Sequence, residues 1–523
     1  MRHWRGLEGL GLFLLALVPC LAGSAACELV DVDEPRFAAA TRGMLHGESW
    51  CVPHFAGEER LDKPILVYWL QALAMLVCGE HAFAARLPSA LAIAGTAPLV
   101  ADLARHFGAS AAGARIAAMI LPTTVLGFGM AHAATADALL CLCTTLVAQA
   151  QIRGGRFLQL WLGLALAFLT KGPPALVGPL ALAVALACAG RRAGWAWLLR
   201  GVLLAAAIVL AWGIPALVET QGRFLSVGIG KHVVARSLTP FEGHGGTGPL
   251  WWLFFALVTP IAFLPWTPWL LLARGPRVLW LWVAGTLLAF TLPASKLPHY
   301  VLPCFPALAI LAVLGAERAA APSPAWTRAT AWLQRGTGCL VAALALPLFA
   351  LGLPGAAVAM AVAGLCLALG HWRAGAALQA GRPAAALFAA AAGALFAITV
   401  LGARVLPAIA EHSLVRALLR ELPEVVHAGD VLAVYREPLP SLVFHFAPSV
   451  RAIQDPGQAV AFLQQPGHRL LVAQRHLGDL APGLQAAAGP APAQQPAILL
   501  RCAGFHPNRG RRIEVVVLGR ARP

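Results

Sequence analysis

The lysines are the most informative residues of this sequence, because arginine supplies nearly all of its other basic side chains. Of 39 lysines and arginines, only Lys63, Lys171, Lys231 and Lys296 are lysines. A lysine ammonium is a compact point charge that suits a phosphate group. Alternatively, these side chains could simply extend their charges to the edge of an apolar layer. The pattern therefore predicts an anion site, with interfacial lysines as the competing interpretation.

Carboxylates occur at two places where an apolar chain seldom carries them. Asp31, Asp33 and Glu34 follow the first apolar segment, and Asp137 begins another. An acid at the edge of an apolar helix is costly unless it is paired, which makes it a functional candidate. Asp137 could instead be a charge favoured by the helix dipole. Asp33 and Glu34 could likewise belong to a solvated loop.

Carboxylates and cations on one side of a membrane suit the transfer of a sugar from a lipid phosphate. The transition state resembles an oxocarbenium ion, so a carboxylate is needed near the anomeric carbon or the attacking group. Cations stabilise the departing phosphate. Two of the three tyrosines, Tyr68 and Tyr300, lie a few residues from Lys63 and Lys296. They would line such a site or form part of an aromatic belt.

The composition indicates that lipid is the solvent for most of the chain. Of 523 residues, 59% are hydrophobic and 12% are charged, and the mean hydropathy is +0.73. A soluble fold could not cover so much apolar surface. The net charge of +16 does not indicate a nucleic-acid-binding protein, because the basic residues punctuate apolar runs and do not cluster in one polar region.

Thirteen apolar segments are candidates for membrane-spanning helices, although several are shorter than the ~20 residues that a bilayer requires. They lie near 9–27, 84–104, 111–131, 134–152, 156–170, 173–189, 199–219, 250–272, 277–293, 299–315, 336–353, 354–371 and 383–405. Arginines gather in alternate short connections, which places those connections and the N terminus in the cytoplasm. The first segment could instead be a signal peptide that ends near Ser24-Ala25-Ala26.

This orientation places all four lysines and the longest polar segments on the outer side. The predicted transmembrane domain is 1–405, with outer loops at 28–83 and 220–249. The tail 406–523 alternates short apolar runs with Pro/Gly turns, which predicts a small periplasmic α/β domain. The fold class is thus an all-α polytopic membrane protein with a small outer α/β domain. Eleven cysteines without a CxxC pair, and the lack of nucleotide or HExxH motifs, argue against zinc, redox or nucleotide sites.

Short motifs occur in a fixed order between residues 28 and 315. They are Asp33-Glu34-Pro35-Arg36, Val52-Pro53-His54, Asp62-Lys63-Pro64, Arg86-Leu87-Pro88, Thr170-Lys171-Gly172 and Lys296-Leu297-Pro298 with Tyr300. The series resembles the 4-amino-4-deoxy-L-arabinose transferases of lipid A. These belong to the GT-C class of integral-membrane glycosyltransferases, which includes the protein O-mannosyltransferases. Asp62 departs from the family's usual Glu, which leaves the sugar and the acceptor open.

The resemblance implies a role for each candidate residue. Asp33 would be the essential loop acid, and Asp137 would be the second acid, near donor and acceptor. Glu34 would belong to the same catalytic set and orient Arg36. Lys63 would hold the carrier phosphate together with Arg236. The remaining substrate-binding candidates are Arg36, Asp62, Tyr68, Lys171, His232, His244, Lys296 and Tyr300.

The chain is therefore predicted to be an inverting glycosyltransferase of the bacterial inner membrane. It would move a sugar from a polyprenyl phosphate to a periplasmic acceptor, with aminoarabinose-type transfer to lipid A favoured. A hexose or mannose transferase acting on protein or another glycan is one alternative, and there the acceptor would need a base. A lipid-linked sugar flippase or transporter is another, and its polar residues would line a continuous path. No cofactor is expected to be required, although a divalent cation could take part.

Overall fold

Helices make up most of the chain, because a helix satisfies its backbone hydrogen bonds internally where no water is present. The structure is a computed structural model. It describes residues 2–31, 33–190, 193–235, 249–318, 324–350, 352–427, 429–436, 439–446, 450–486, 496–506 and 511–520. Within these ranges, the side chains of residues 2–5, 229, 231–235, 249, 250, 324, 326 and 327 fall outside the description.

The chain divides into two compact units. The first comprises Met1–Ser24, Trp50–Val52 and Leu61–Val405. The second comprises Ala25–Ser49, Pro53–Arg60 and Leu406–Pro523. The second unit thus combines the residues from Leu406 onward with most of residues 25–60.

The first unit is built from helices. Its α-helices are Arg2–Leu21, Leu66–Cys78, Ala82–His106, Ala111–Ile120, Val125–Ala131, Asp137–Arg153, Phe157–Lys171, Val177–Cys188, Trp195–Glu219, Pro249–Trp252, Phe254–Ala262, Arg277–Thr291, Phe305–Arg318, Pro324–Ala343, Ala345–Ala350, Pro354–Gln379 and Pro383–Val400. Tighter 3-10 turns are Leu121–Thr123, Pro173–Leu176, Thr267–Leu272 and Pro298–Cys304, and wider π-helical turns are Phe224–Ala235 and Leu401–Val405.

Several of these helices suit a bilayer by length and composition. In the described ranges six qualify, namely Ala82–His106, Trp195–Glu219, Pro298–Arg318, Arg328–Ala350, Pro354–Gln379 and Pro383–Ala410. A seventh arises if Ala111–Thr123 and Val125–Ala131, which meet at 64°, are counted as one broken span. Others are short: Phe157–Lys171 has 15 residues, or about 22 Å at 1.5 Å per residue. Each of the thirteen predicted segments contains helix, and the protein is a membrane protein.

Burial identifies the centre of this helical unit. The span Pro298–Arg318 is 89% buried, whereas Trp195–Glu219 is 17% buried. A helix surrounded by other helices on all sides must be apolar all round, as the sequence Phe305–Gly315 is. The Lys-Leu-Pro-x-Tyr motif at 296–300 therefore lies at one end of the most enclosed span.

The second unit contains a two-stranded ribbon and a five-stranded mixed sheet. The ribbon pairs β1 His54–Phe55 with β2 Glu58–Glu59. The strands of the sheet are β3 Val431–Tyr435, β4 Val450–Ile453, β5 His468–Ala473, β6 Ala497–His506 and β7 Arg511–Gly519. They lie in the order β4-β3-β5-β7-β6. Strands β4, β3 and β5 are parallel, and β7 runs antiparallel to β5 and β6. The central strands β3 and β5 are nearly continuous apolar runs, as expected when both faces are covered.

Short helices complete this unit. They are Asp33–Leu45, Leu406–Ala410, Leu414–Glu421, Pro440–Phe446, Pro456–Leu463 and Leu477–Ala486, with 3-10 turns at Leu422–Glu424 and Gln474–His476. Phe462, Leu463 and Leu480 cover one face, where they meet Leu470 and Val472 of β5. The helix Asp33–Leu45 belongs to the predicted outer loop 28–83 and carries the acid motif of that segment into this unit.

Candidate functional site

A buried ion pair forms the centre of the candidate site in the first unit. Asp137 is the first residue of the helix Asp137–Arg153, and Lys171 is the last residue of Phe157–Lys171. The Lys171 Nζ donates a hydrogen bond to Asp137 Oδ1. Asp137 is buried, and the Lys171 side chain is 9% exposed. His299 Nε2 lies 3.6 Å from Asp137 Oδ2. One carboxylate is thus contacted by an ammonium and an imidazole.

The local sequence explains why these two charges occupy helix ends. Gly172 follows Lys171 with φ +70°, a left-handed conformation that glycine adopts without strain, and it ends the helix there. A helix dipole favours a cation at its C terminus and an acid at its N terminus. Lys171 and Asp137 each occupy the favourable end, so backbone partial charges support the pair.

Aromatic rings enclose the same ion pair. The Lys171 Nζ lies 4.4 Å from the Tyr300 ring centroid. The ring of Tyr300 meets that of His299 edge-on, with centroids 5.0 Å apart, and that of Phe290 at 5.2 Å. A desolvated ammonium over a π face is stabilised electrostatically. The arrangement holds one cation and one carboxylate in place, largely shielded from solvent.

Lys63 has a more open environment. Its Nζ lies 3.1 Å from Asp62 Oδ2 and 3.2 Å from the Asp62 backbone oxygen. The side chains of Lys63 and Asp62 are 20% and 23% exposed, so water screens the pair. Lys63 is also close enough to Asp137 for their charges to interact. It is therefore a partly accessible cation beside the buried cluster.

Lys296 occupies a different environment from Tyr300, although the two share a motif. It is buried, and its Nζ donates a hydrogen bond to the Pro293 backbone oxygen at 3.0 Å. The same Nζ lies 5.1 Å from the ring centroid of Trp251 and 5.4 Å from that of Trp252. In the ranges that the structure describes, no carboxylate lies within ion-pair distance of it. Burial lowers the pKa of the Lys296 ammonium, because desolvation disfavours the charged form.

The acid motif of the predicted outer loop 28–83 lies in the second unit. Asp33 begins the helix Asp33–Leu45, and its side chain is exposed. Glu34 is buried, and its Oε2 accepts a hydrogen bond from the Val30 backbone N–H at 2.7 Å. Arg36 is half-buried. The contact of Glu34 closes the turn before the helix, which is a structural task, whereas Asp33 presents its carboxylate to the surroundings.

The remaining predicted residues are Tyr68 and members of the predicted outer loop 220–249. Tyr68 is fully buried. Arg236 and His244 lie outside the described residues, as do the side chains of Lys231 and His232. Their assignment to substrate binding stays a prediction. In the part of the chain that the structure describes, no group of three or more His, Cys, Asp or Glu side chains could hold a metal ion.

Sequence reasoning missed His299 and gave Asp31 no role. His299 is the variable residue of the Lys-Leu-Pro-x-Tyr motif, so its position before Tyr300 was the only signal. Asp31 is buried, with Oδ1 accepting from the Ser441 backbone N–H at 2.8 Å and Oδ2 from Ser441 Oγ at 2.6 Å. Desolvation raises the pKa of Asp31 to about 6. Nothing in the local sequence pairs residue 31 with residue 441.

Comparisons with known proteins agree with the ordered motifs. Residues 62–218 match the family model described as dolichyl-phosphate-mannose-protein mannosyltransferase. The undecaprenyl phosphate-alpha-4-amino-4-deoxy-L-arabinose arabinosyl transferase of Edwardsiella ictaluri is 30% identical over 57% of each chain. The corresponding protein of an Enterobacter species is 28% identical over 64% of this chain and 63% of its own. The chain thus spans about three-fifths of the length of the curated relatives that it matches.

The fold agrees over nearly the whole chain. The crystal structure of ArnT from Cupriavidus metallidurans bound to undecaprenyl phosphate superposes with a TM-score of 0.77 at 19% identity, covering 98% of this chain and 97% of that one. Its apo form gives the same TM-score. The predicted helical GT-C membrane fold is confirmed at this level. The resemblance of this chain to the aminoarabinose transferases, first indicated by the motif series, is likewise confirmed.

Proposed function

We propose that the protein is an inverting glycosyltransferase that moves an aminoarabinose-type sugar from undecaprenyl phosphate to lipid A. The observation that carries the proposal is the buried Asp137–Lys171 pair with His299 and Tyr300. Lys171, His299 and Tyr300 lie in motifs of the ordered series that resembles the aminoarabinose transferases. The names of the similar proteins supply the donor. Lipid A as the acceptor follows from the likeness of the motif series to the lipid A transferases.

The reaction exchanges one bond at the anomeric carbon for another. An acceptor oxygen attacks that carbon from the face opposite the carrier, and the bond to the carrier phosphate oxygen breaks with its electron pair remaining on the phosphate. Lys63 and Arg236 neutralise the leaving phosphate. Asp137, held by Lys171, stabilises positive charge that develops on the sugar ring.

Asp33 acts on the acceptor side of the same reaction. If the acceptor is a lipid A phosphate, it is already ionised and needs no strong base. Asp33 then holds the cationic sugar amine or stabilises developing positive charge. If the acceptor is a hydroxyl, Asp33 removes its proton, and the rate falls at acidic pH as the carboxylate becomes protonated.

The proposed topology has thirteen spans with the N terminus in the cytoplasm and an α/β domain, 406–523, in the periplasm. The arginine distribution and the helices in all thirteen segments support it. Alkaline phosphatase fused after residue 520 should be active, and the same enzyme fused within the connection 105–115 should be inactive. The reverse pattern would overturn this orientation in the inner membrane.

This chemistry requires no nucleotide or other cofactor. A divalent cation could still bind as an additional ligand among the predicted substrate-binding residues. Transfer by the purified protein before and after dialysis against EDTA tests this. Unchanged activity after dialysis supports a metal-independent reaction. Loss that Mg²⁺ or Zn²⁺ restores would add a cation to the proposal.

A second candidate is hexose or mannose transfer from a polyprenyl phosphate to protein or another glycan. It is favoured by the match of residues 62–218 to the mannosyltransferase family model. A flippase or transporter of the lipid-linked sugar is a candidate of another class, and it would move the donor without forming a new glycosidic bond.

Mass spectrometry of lipid A from cells that express the protein tests the proposal. The wild type should add the mass of a pentosamine, and Asp33→Ala should abolish that addition. Glu58→Gln is the matched control, because Glu58 is an exposed acid of the same compact unit outside the acid motif. Lipid A that is unmodified by the wild type would overturn lipid A as the acceptor and direct the search to proteins and other glycans.

A further inference from the structure

The helix Asp33–Leu45 is attached at its beginning to a helix of the chain's tail. Both oxygens of the buried Asp31 carboxylate accept hydrogen bonds from Ser441, one from its backbone N–H at 2.8 Å and one from its Oγ at 2.6 Å. Ser441 is itself fully buried in the helix Pro440–Phe446. Two bonds from one residue to one carboxylate fix both the distance and the orientation between the two segments.

The far end of the same helix is attached to the same partner. Arg42 Nη1 donates to the Phe444 backbone oxygen, and its guanidinium carbon lies 5.9 Å from the Phe444 ring centroid. The helix Asp33–Leu45 therefore contacts Pro440–Phe446 near both of its ends. Two attachments about three turns apart prevent both tilting and sliding, which a single attachment would not.

Further contacts around the first attachment involve charged groups. Glu28 Oε1 accepts from Arg416 Nη1 at 2.7 Å, and its Oε2 lies 3.6 Å from His445 Nε2. Glu34 accepts from the Val30 N–H. The segment that precedes Asp33 is thus held by the tail helices Leu414–Glu421 and Pro440–Phe446. All these residues belong to the second compact unit.

We infer that the tail segment 439–446 is a positioning element for Asp33, and that Ser441 is its principal positioning residue. The inference rests on the proposed function, because it assigns the tail a role in setting the acid of that reaction. Asp33 is exposed and begins the helix that is attached to the tail near both ends, so these attachments hold the backbone that carries its carboxylate. A misplacement of about 1 Å can cost about 100-fold in rate.

Hydrogen exchange and kinetics on the purified full-length chain test the inference together. Ser441→Ala and Asp31→Ala remove the attachment. Asp31→Asn keeps its shape, because the amide can accept from the Ser441 N–H and donate to Ser441 Oγ. Asp455→Ala is the matched control: Asp455 caps the helix Pro456–Leu463 by accepting from the Gln458 N–H at 2.8 Å, so its loss weakens the same unit elsewhere.

Amides of residues 33–45 should exchange about tenfold faster in Ser441→Ala and Asp31→Ala, as expected when a buried hydrogen bond is lost. The kcat for sugar transfer should fall about 10- to 100-fold with KM for the donor little changed. Asp31→Asn should restore kcat to within about threefold of wild type, and Asp455→Ala should leave both readouts within about twofold.

Unchanged exchange of residues 33–45 in Ser441→Ala and Asp31→Ala would overturn the attachment itself, whatever the activity. Faster exchange with an unchanged kcat would overturn the positioning role. An equal loss of kcat in Asp455→Ala would also overturn it, since general destabilisation would then explain the result. A wild type that exchanges as expected but transfers no sugar would overturn the proposed function and leave the attachment supported.

Discussion

Asp137 and Asp33 show two different ways to hold a carboxylate in place. Asp137 is buried in the helical unit, and its own oxygens contact Lys171 and His299. Asp33 is exposed in the second unit. Hydrogen bonds are made instead by Asp31, Glu34 and Arg42, which lie in or just before the helix that Asp33 begins. The first acid is fixed by direct pairing, the second through the backbone that carries it. Removal of a partner of Asp137 should therefore lower the stability of the protein. Removal of a contact near Asp33 should mainly change the position of the Asp33 carboxylate.

The largest effect is expected when the partner of Asp137 is removed. Lys171→Ala leaves a buried carboxylate without its ammonium and should reduce the free energy of unfolding by about 3–5 kcal/mol. The double variant Asp137→Asn/Lys171→Met should recover most of that stability while remaining inactive. Thermal unfolding in detergent measures both. A Lys171→Ala protein as stable as wild type would show that the pair is not desolvated.

Substitution of Asp33 should separate activity from stability. Asp33→Asn should lower the rate of sugar transfer by about 10²–10³-fold and leave the unfolding temperature unchanged, because the side chain is exposed. Asp137→Asn, made in parallel, should lower both quantities. Single-turnover kinetics and thermal unfolding of the two variants test the comparison directly. Equal losses of stability would contradict it.

The pH dependence of the second unit should come largely from Asp31. Burial raises its pKa to about 6, so the folded state favours the protonated carboxyl. The contribution of Asp31 to the free energy of unfolding is fully present below the pKa of about 4 that it has in the unfolded chain, and it is lost as the pH rises through about 6. The free energy of unfolding should therefore fall by about 2–3 kcal/mol between the two pH limits. Asp31→Asn should remove it, and exchange of residues 33–45 between pH 4 and 8 measures it.

The smallest effect is expected at Lys296. With Trp251 and Trp252 around it and a lowered pKa, this ammonium should gain from a bound phosphate. Lys296→Gln should weaken undecaprenyl phosphate binding about tenfold, and Lys296→Arg should weaken it less. As the pH is raised, wild-type affinity should begin to fall at a lower pH than that at which an ordinary lysine loses its proton, because the pKa of Lys296 is lowered. An unchanged dissociation constant in Lys296→Gln would assign this lysine to the membrane interface.

Local features of the sequence predicted the helices and most of the candidate residues. Apolar runs of spanning length determine helices wherever they occur, since lipid leaves backbone groups no other partner. Lys171 before Gly172, and Asp137 at the start of an apolar run, could be recognised as charges at helix ends. Glu34 shows where a local pattern stops being informative, because an acid that closes a turn and an acid that takes part in chemistry have the same local sequence.

The sequence by itself determined the membrane class, the helical segments and the motif series, because composition, hydropathy and residue order are properties of neighbouring residues. Only the tertiary structure decided that Asp137 pairs with Lys171 and lies close to His299. It also decided that Lys296 and Tyr300 have different neighbours, and that Asp31 is hydrogen-bonded to Ser441, which lies 410 positions further along the chain. Such contacts depend on how helices pack, and packing is a sum of many small terms that no local pattern contains.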